Sequence, residues 1–189
     1  MTSNHYSFKS KVLFRNKYIQ TILGSIVSGN TNLPERTLHK VLIDHNAKLV
    51  LFELPSSNPE ATVILLAHGM GGCSEASYMR RIARKLWIRG FTVFMMNQLG
   101  SGLGMGLSDR LWNGGSSDDL DMTVNYIAKI YPNTAIDIVG FSLSGNILLK
   151  YLGEKKRITN IRRTLAVNPP IDLKRASYFL SKTNWGRVF

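Results

Sequence analysis

Short runs of consecutive apolar residues alternate along the chain with longer stretches in which apolar residues recur every three or four positions. The first pattern reads as strands buried on both faces, the second as amphipathic helices, and their alternation predicts an α/β fold with a mainly parallel sheet. Lys40–Asp44 and Leu49–Glu53 flank the turn-forming His45-Asn46, which predicts an antiparallel pair at the sheet's edge. Ala61–Ala67 predicts a buried strand. From Glu75 to Arg89 a helix is expected, with Met79, Ile82, Ala83, Leu86 and Trp87 on one face, Arg80, Arg81, Arg84, Lys85 and Arg89 on the other, and Gly90 closing it. Phe91–Met96 is the next buried strand. After a glycine-rich loop, Ser117-Asp118-Asp119 opens a helix with an apolar stripe of Leu120, Val124, Ile127, Ala128 and Tyr131, and Pro132 lies past its end. Ala135–Val139 is a strand that runs straight into Gly140-Phe141-Ser142-Leu143-Ser144-Gly145-Asn146. A helix to about Gly153 and a strand at Arg163–Val167 follow. Right-handed crossovers place these strands in one sheet with helices on both faces.

Composition bounds the reading without redirecting it. The 189 residues suit a single domain, and 44% hydrophobic with 19% charged residues describes an ordinary globular protein. No internal repeat or low-complexity linker interrupts it. The formal net charge of +12 raises nucleic acid or an anionic membrane as partners. No base-reading motif accompanies the charge and the basic helix reads as a solvated face on a core, so no nucleic acid is expected and weak association with an anionic membrane surface is retained. One cysteine, Cys73, excludes an intramolecular disulfide. The first residues lack the apolar core of a secretory signal, and no run of about 18 apolar residues could span a bilayer, so a cytoplasmic protein is expected.

The chemistry lies at Ser142. A serine hydroxyl is a poor nucleophile in water, and hydrolases present it on a strained strand-to-helix turn where a base can reach it. Such a turn needs small neighbours: Gly140 stands two residues before Ser142, while two residues after it the usual glycine is Ser144, followed by Gly145. Ser144 is a rival nucleophile, disfavoured because it falls inside the helix. His68-Gly69-Met70-Gly71-Gly72 follows the buried strand ending at Ala67, the place from which an oxyanion-hole donor comes. The expected donors are the backbone N–H groups of Met70 and Leu143. His68 is expected to shape this loop by hydrogen bonding, and Cys73 to be structural or incidental. Gly100-Ser101-Gly102-Leu103-Gly104-Met105-Gly106 fits neither phosphate-binding glycine pattern and reads as a flexible wall of the cleft.

From about Phe14 onward the chain resembles the YheT-like, ABHD-type α/β-hydrolases. The resemblance rests on Arg15-Asn16-Lys17-Tyr18-Ile19-Gln20-Thr21-Ile22, His68-Gly69, Gly140-Phe141-Ser142-Leu143-x-Gly145-Asn146 and Pro170-Ile171-Asp172-Leu173. It implies a serine-dependent carboxylic ester hydrolase acting on a small-molecule ester or lipid-like substrate, with a Ser-Asp-His triad and neither metal nor cofactor. The family's Asn-x-Arg-Gly after the fourth core strand stands here as Asn97-Gln98-Leu99-Gly100. The four histidines, His5, His39, His45 and His68, all precede Ser142, and Asp172 is the only carboxylate after Glu154. The expectation is therefore a single, incomplete α/β-hydrolase domain over residues 1–189, truncated before the triad acid and histidine. A catalytically inactive remnant binding acyl ligands or a partner protein, or an acyltransferase using the same serine, is the alternative.

Overall fold

The computed structural model describes residues 32–154 and 160–182, together with Asn16. Apart from Asn16, the Arg15–Ile22 segment lies outside the described residues, as does His5.

Six strands form one sheet in the order β1-β2-β4-β3-β5-β6: β1 Thr37–Asp44, β2 Ala47–Leu54, β3 Val63–Ala67, β4 Thr92–Asn97, β5 Ile136–Phe141 and β6 Ile161–Val167. The first two make the expected antiparallel edge pair, and β4, β3, β5 and β6 run parallel. Central β3 sorts its side chains by the two-residue period of a strand. Val63, Leu65 and Ala67 join Phe94, Met96 and Ile138 on one face, while Ile64 and Leu66 join Val93 and Met95 on the other. Because both faces are covered, the strand reads as unbroken apolar sequence.

Helix α1, Ser77–Ile88, covers the Ile64 face through Met79 and Ala83. Helices α2, Ser117–Ile130, and α3, Leu143–Glu154, cover the opposite face: α2 buries Leu120, Val124 and Ile127, and α3 buries Ile147, Leu148 and Tyr151. The serine at the N-cap of α2 is Ser116, one residue earlier than the sequence suggested, with Asp118 and Asp119 in the first turn where the helix dipole favours them. Buried Asp119 is met by Arg110 from the preceding loop at 2.7 Å. A fourth helix, α4 Leu173–Lys182, buries none of its residues. No helix among the described residues is long and apolar enough to cross a membrane.

The parallel strands point their C-terminal ends the same way. The loops after Ala67, Asn97, Phe141 and Val167 therefore gather at one end of the sheet.

Candidate active site

Strand β5 ends at Phe141 and α3 begins at Leu143, so Ser142 alone makes the turn. It does so at φ 50°, a left-handed conformation that costs a non-glycine residue about 1–2 kcal/mol. Three backbone bonds hold it there: the Ser142 N–H donates to Val167 O at 2.9 Å, and the Ser142 carbonyl accepts from Gly145 N (2.9 Å) and Asn146 N (3.2 Å). The small neighbours are explained by contact. A Cβ on Gly140 would stand 2.5 Å from Ser144 O, and one on Gly145 would stand 3.0 Å from Gly140 O. Neither obstacle is a side chain that could swing aside. The Ser142 side chain is left exposed to solvent.

Parallel pairing of Ala67 with Gly140 sets the loop after β3 beside this turn. A Cβ on Gly69 would meet Ser142 Cβ at 3.0 Å and lie 3.7 Å from its Oγ, so only a glycine allows the loop this close. The Gly69 N–H donates to the Tyr78 hydroxyl at 3.1 Å, and the Tyr78 ring packs edge-on against Phe141. Burial pushes the Tyr78 phenol up from its ordinary value, which keeps it neutral. Met70, next on the loop, is exposed. Leu143 opens α3, so its N–H is one that no carbonyl of the same helix reaches.

Both ring nitrogens of fully buried His68 are occupied. Nδ1–H donates to Gly69 O at 2.7 Å, and Nε2 accepts from the Gln98 N–H at 3.1 Å. Burial lowers its pKa against the raising effect of the Gly69 bond, so the ring is neutral, and Trp112 packs edge-on against it. This is the loop-shaping geometry expected of His68.

Ser144 is 1% exposed, and its Oγ donates to His68 O while accepting from Gln98 Nε2 at 2.9 Å. The residue that departs from the usual glycine thus bonds the elbow helix to the ends of β3 and β4. Asn146 Nδ2 donates to Pro170 O at 3.1 Å and fixes the loop after β6 on the other side. Tyr78 and Trp112 lie in no motif, Gln98 stands at the variable position of Asn97-Gln98-Leu99-Gly100, and sequence reasoning assigned none of them a role. Gln98 had one signal, a polar residue directly after an apolar strand. Three buried polar atoms here, Ser74 Oγ, Asn97 Nδ2 and Gln98 Oε1, have no hydrogen-bond partner among the described residues.

No described histidine is hydrogen-bonded to Ser142. His39 on β1 bonds Glu53 (2.8 Å) and the Tyr126 hydroxyl (3.0 Å), and His45 lies in the β1–β2 turn. Asp172 caps α4, its Oδ1 accepting from Arg175 N at 2.8 Å. Half-buried Cys73 lies on the loop after β3, and no group of three His, Cys, Asp or Glu among the described residues is placed to hold a metal ion.

The comparisons with known proteins agree with this architecture. The esterase of Pyrococcus furiosus superposes with a TM-score of 0.67 at 21% identity, covering 79% of this chain and 57% of that one. An α/β serine hydrolase homologue from Coxiella burnetii gives 0.58 at 20% identity, covering 76% and 66%. In sequence, the chain is similar to the monoacylglycerol lipase of Saccharomyces cerevisiae, 31% identical over 135 residues that are 71% of this chain and 30% of the relative. It is also similar to monoacylglycerol lipase ABHD2 of Danio rerio, 29% identical over 181 residues that are 87% of this chain and 41% of the relative. The chain thus spans less than half the length of these curated relatives. The family model for the alpha/beta hydrolase fold matches residues 62–183, well over half of the chain. With that match, these ABHD-type relatives and this sheet, the chain belongs to the α/β-hydrolase family.

Proposed function

We propose that this chain carries the nucleophile and oxyanion hole of a serine-dependent carboxylic ester hydrolase acting on lipid-like esters, monoacylglycerols among them. The observation that carries the reading is Ser142: an exposed hydroxyl on a left-handed turn between strand and helix, with Gly69 against its side chain. Its Oγ attacks the ester carbonyl and passes its proton to a base. The tetrahedral oxyanion is received by the N–H groups of Met70 and Leu143, two donors of a kind worth a few kcal/mol of transition-state stabilisation. Collapse expels the alcohol and leaves an acyl-serine, which water then hydrolyses. The base is a histidine from outside the described residues, since both nitrogens of His68 are spent and His39 is bound elsewhere. Within the family, the YheT-like branch rests on the elbow Gly140–Asn146 and the Gln20-Thr21 segment.

The absence of a described histidine beside Ser142 favours one second reading, an acyl-binding module that does not turn over. One set of measurements separates them: hydrolysis of a monoacylglycerol and a short-chain p-nitrophenyl ester, and fluorophosphonate labelling, by residues 1–189 joined to the segment that supplies the base histidine, with Ser142→Ala alongside. Turnover and label that vanish in the variant support the hydrolase. Acyl binding without Ser142-dependent turnover supports the module, and label on Ser144 rejects the assignment.

A further inference from the structure

Gly69 poses a problem that its own chemistry does not solve. The approach of its loop to Ser142 excludes a side chain, since a Cβ there would stand 3.0 Å from Ser142 Cβ. Glycine is also the residue whose backbone turns most freely. Met70, whose N–H is the donor proposed for the oxyanion, comes next in the chain, so any swing at Gly69 re-aims that donor. What fixes the aim must come from outside the residue.

The hydrogen bonds around Gly69 supply it. A peptide group is planar and trans, so its carbonyl and its N–H point opposite ways. In the His68–Gly69 peptide the carbonyl accepts from Ser144 Oγ and the N–H donates to the Tyr78 hydroxyl at 3.1 Å, one grip at each end of the plane. In the Gly69–Met70 peptide the carbonyl accepts from His68 Nδ1–H at 2.7 Å and from the Gly72 N–H at 3.1 Å, which turns the Met70 N–H the other way. Two gripped planes, one on each side of Gly69, define its torsions. On the elbow, Ser142 O accepts from the N–H groups of Gly145 and Asn146, so the Leu143 N–H also points away from an anchored carbonyl.

Both grips on the first plane are referenced to the nucleophile. Ser144 lies two residues past Ser142 on α3, and its hydroxyl is oriented by Gln98 Nε2 at 2.9 Å. Tyr78 reaches over from α1 and packs edge-on against Phe141, the residue before Ser142, with ring centroids 5.2 Å apart. The loop is thereby tied to both flanks of the elbow.

We propose that Tyr78 and Ser144 are positioning residues that aim the Met70 N–H at the oxyanion by gripping the His68–Gly69 peptide from the two flanks of Ser142. This role rests on the hydrolase reading of the site. Each residue acts through the backbone of the loop, so losing one grip leaves substrate binding intact and weakens the stabilisation of the developing charge.

The test uses residues 1–189 joined to the segment that supplies the base histidine, with a short-chain p-nitrophenyl ester as substrate. Active sites are counted by fluorophosphonate titration, so that unfolded protein is not scored. Tyr78→Phe removes one oxygen and keeps the ring on Phe141. It should lower kcat about tenfold to a hundredfold and leave KM within about threefold of the parent. An alkyl trifluoromethyl ketone, which forms a hemiketal oxyanion on the serine, should lose affinity by the same factor as kcat. Ser144→Ala should behave likewise below its unfolding transition. The double variant should lose much less than the product of the two, because both act on one peptide. Tyr126→Phe, on α2, removes a hydroxyl that bonds His39 and should match the parent. Full kcat in Tyr78→Phe, a loss confined to KM, or a double variant that multiplies the two losses overturns the positioning role, while Ser142-dependent turnover in the parent keeps the hydrolase reading. A parent with no such turnover rejects both.

Discussion

Replacing Ser144 with alanine removes one oxygen and breaks two buried bonds. Gln98 Nε2–H loses its acceptor, and His68 C=O loses its donor, both in a region closed to water. Each orphaned buried group costs about 1–3 kcal/mol. Alanine returns about 0.5 kcal/mol as the better helix former, and local repacking recovers some of the rest. A net destabilisation of about 2–4 kcal/mol is expected, a large part of the roughly 5–15 kcal/mol that holds a domain together. Ser144→Gly should be worse by up to about 1 kcal/mol, because it leaves the same orphans and adds the backbone entropy of glycine in a helix. That ranking is counter-intuitive, since glycine is the usual residue at this place in the elbow.

The assay is urea unfolding followed by tryptophan fluorescence, which reports through Trp112 packed edge-on against His68. The partner variant Gln98→Leu removes the donor and leaves the Ser144 bond to His68 O. In the double variant Ser144→Ala/Gln98→Leu only the carbonyl is orphaned, so the two changes should couple by about 1 kcal/mol or more in the direction of rescue. A Ser144→Ala protein within about 0.5 kcal/mol of the parent, or strict additivity with Gln98→Leu, would refute the reasoning.

Gly140→Ala should fail to fold or lose more than about 3 kcal/mol, since the new Cβ meets backbone at 2.5 Å; thermal unfolding checks it. Asp172→Ala should cost about 1 kcal/mol through loss of the α4 cap, read as faster amide exchange confined to that helix, with Asp172→Asn close to the parent. Burial and the Glu53 carboxylate push the Tyr131 phenol up to about 12, so the fold favours its neutral form. Its contribution is fully present below the ordinary value of 10.0 and is lost as pH rises toward about 12. In Tyr131→Phe that part of the alkaline decline should be absent from a stability-against-pH profile.

The parts of the fold legible in sequence are those where burial dictates residue type. β3, covered on both faces, is wholly apolar, and β4 is apolar between Thr92 and Asn97; both were found within a residue or two of their ends. β3 starts at Val63 and not at Ala61 because the Ala61 N–H is engaged by Asn58 O in a turn. The edges were harder. β1 begins at Thr37, three residues before the expected Lys40, and β6 at Ile161, two before Arg163. Both strands are largely exposed, so their side chains are under little constraint. α4 went unrecognised although Leu173, Ala176, Phe179 and Leu180 recur at helical spacing behind the Asp172 cap; the stripe is short, and the helix buries none of it.

At the site, what could be read was the backbone requirement and what could not was the polar cross-bonding. A left-handed turn after a strand demands small residues around it, and Gly140, Gly145 and Gly69 are where that demand falls. The partners of a buried hydroxyl are set by three-dimensional proximity. Gln98 and Ser144 stand 46 residues apart, and nothing local to either names the other. The sequence therefore presented Ser144 only as a departure from the usual glycine of the elbow. In the folded chain its hydroxyl bonds the helix that positions Ser142 to the loop that positions Met70, so a substitution that would weaken an isolated motif stiffens the relation between its two halves.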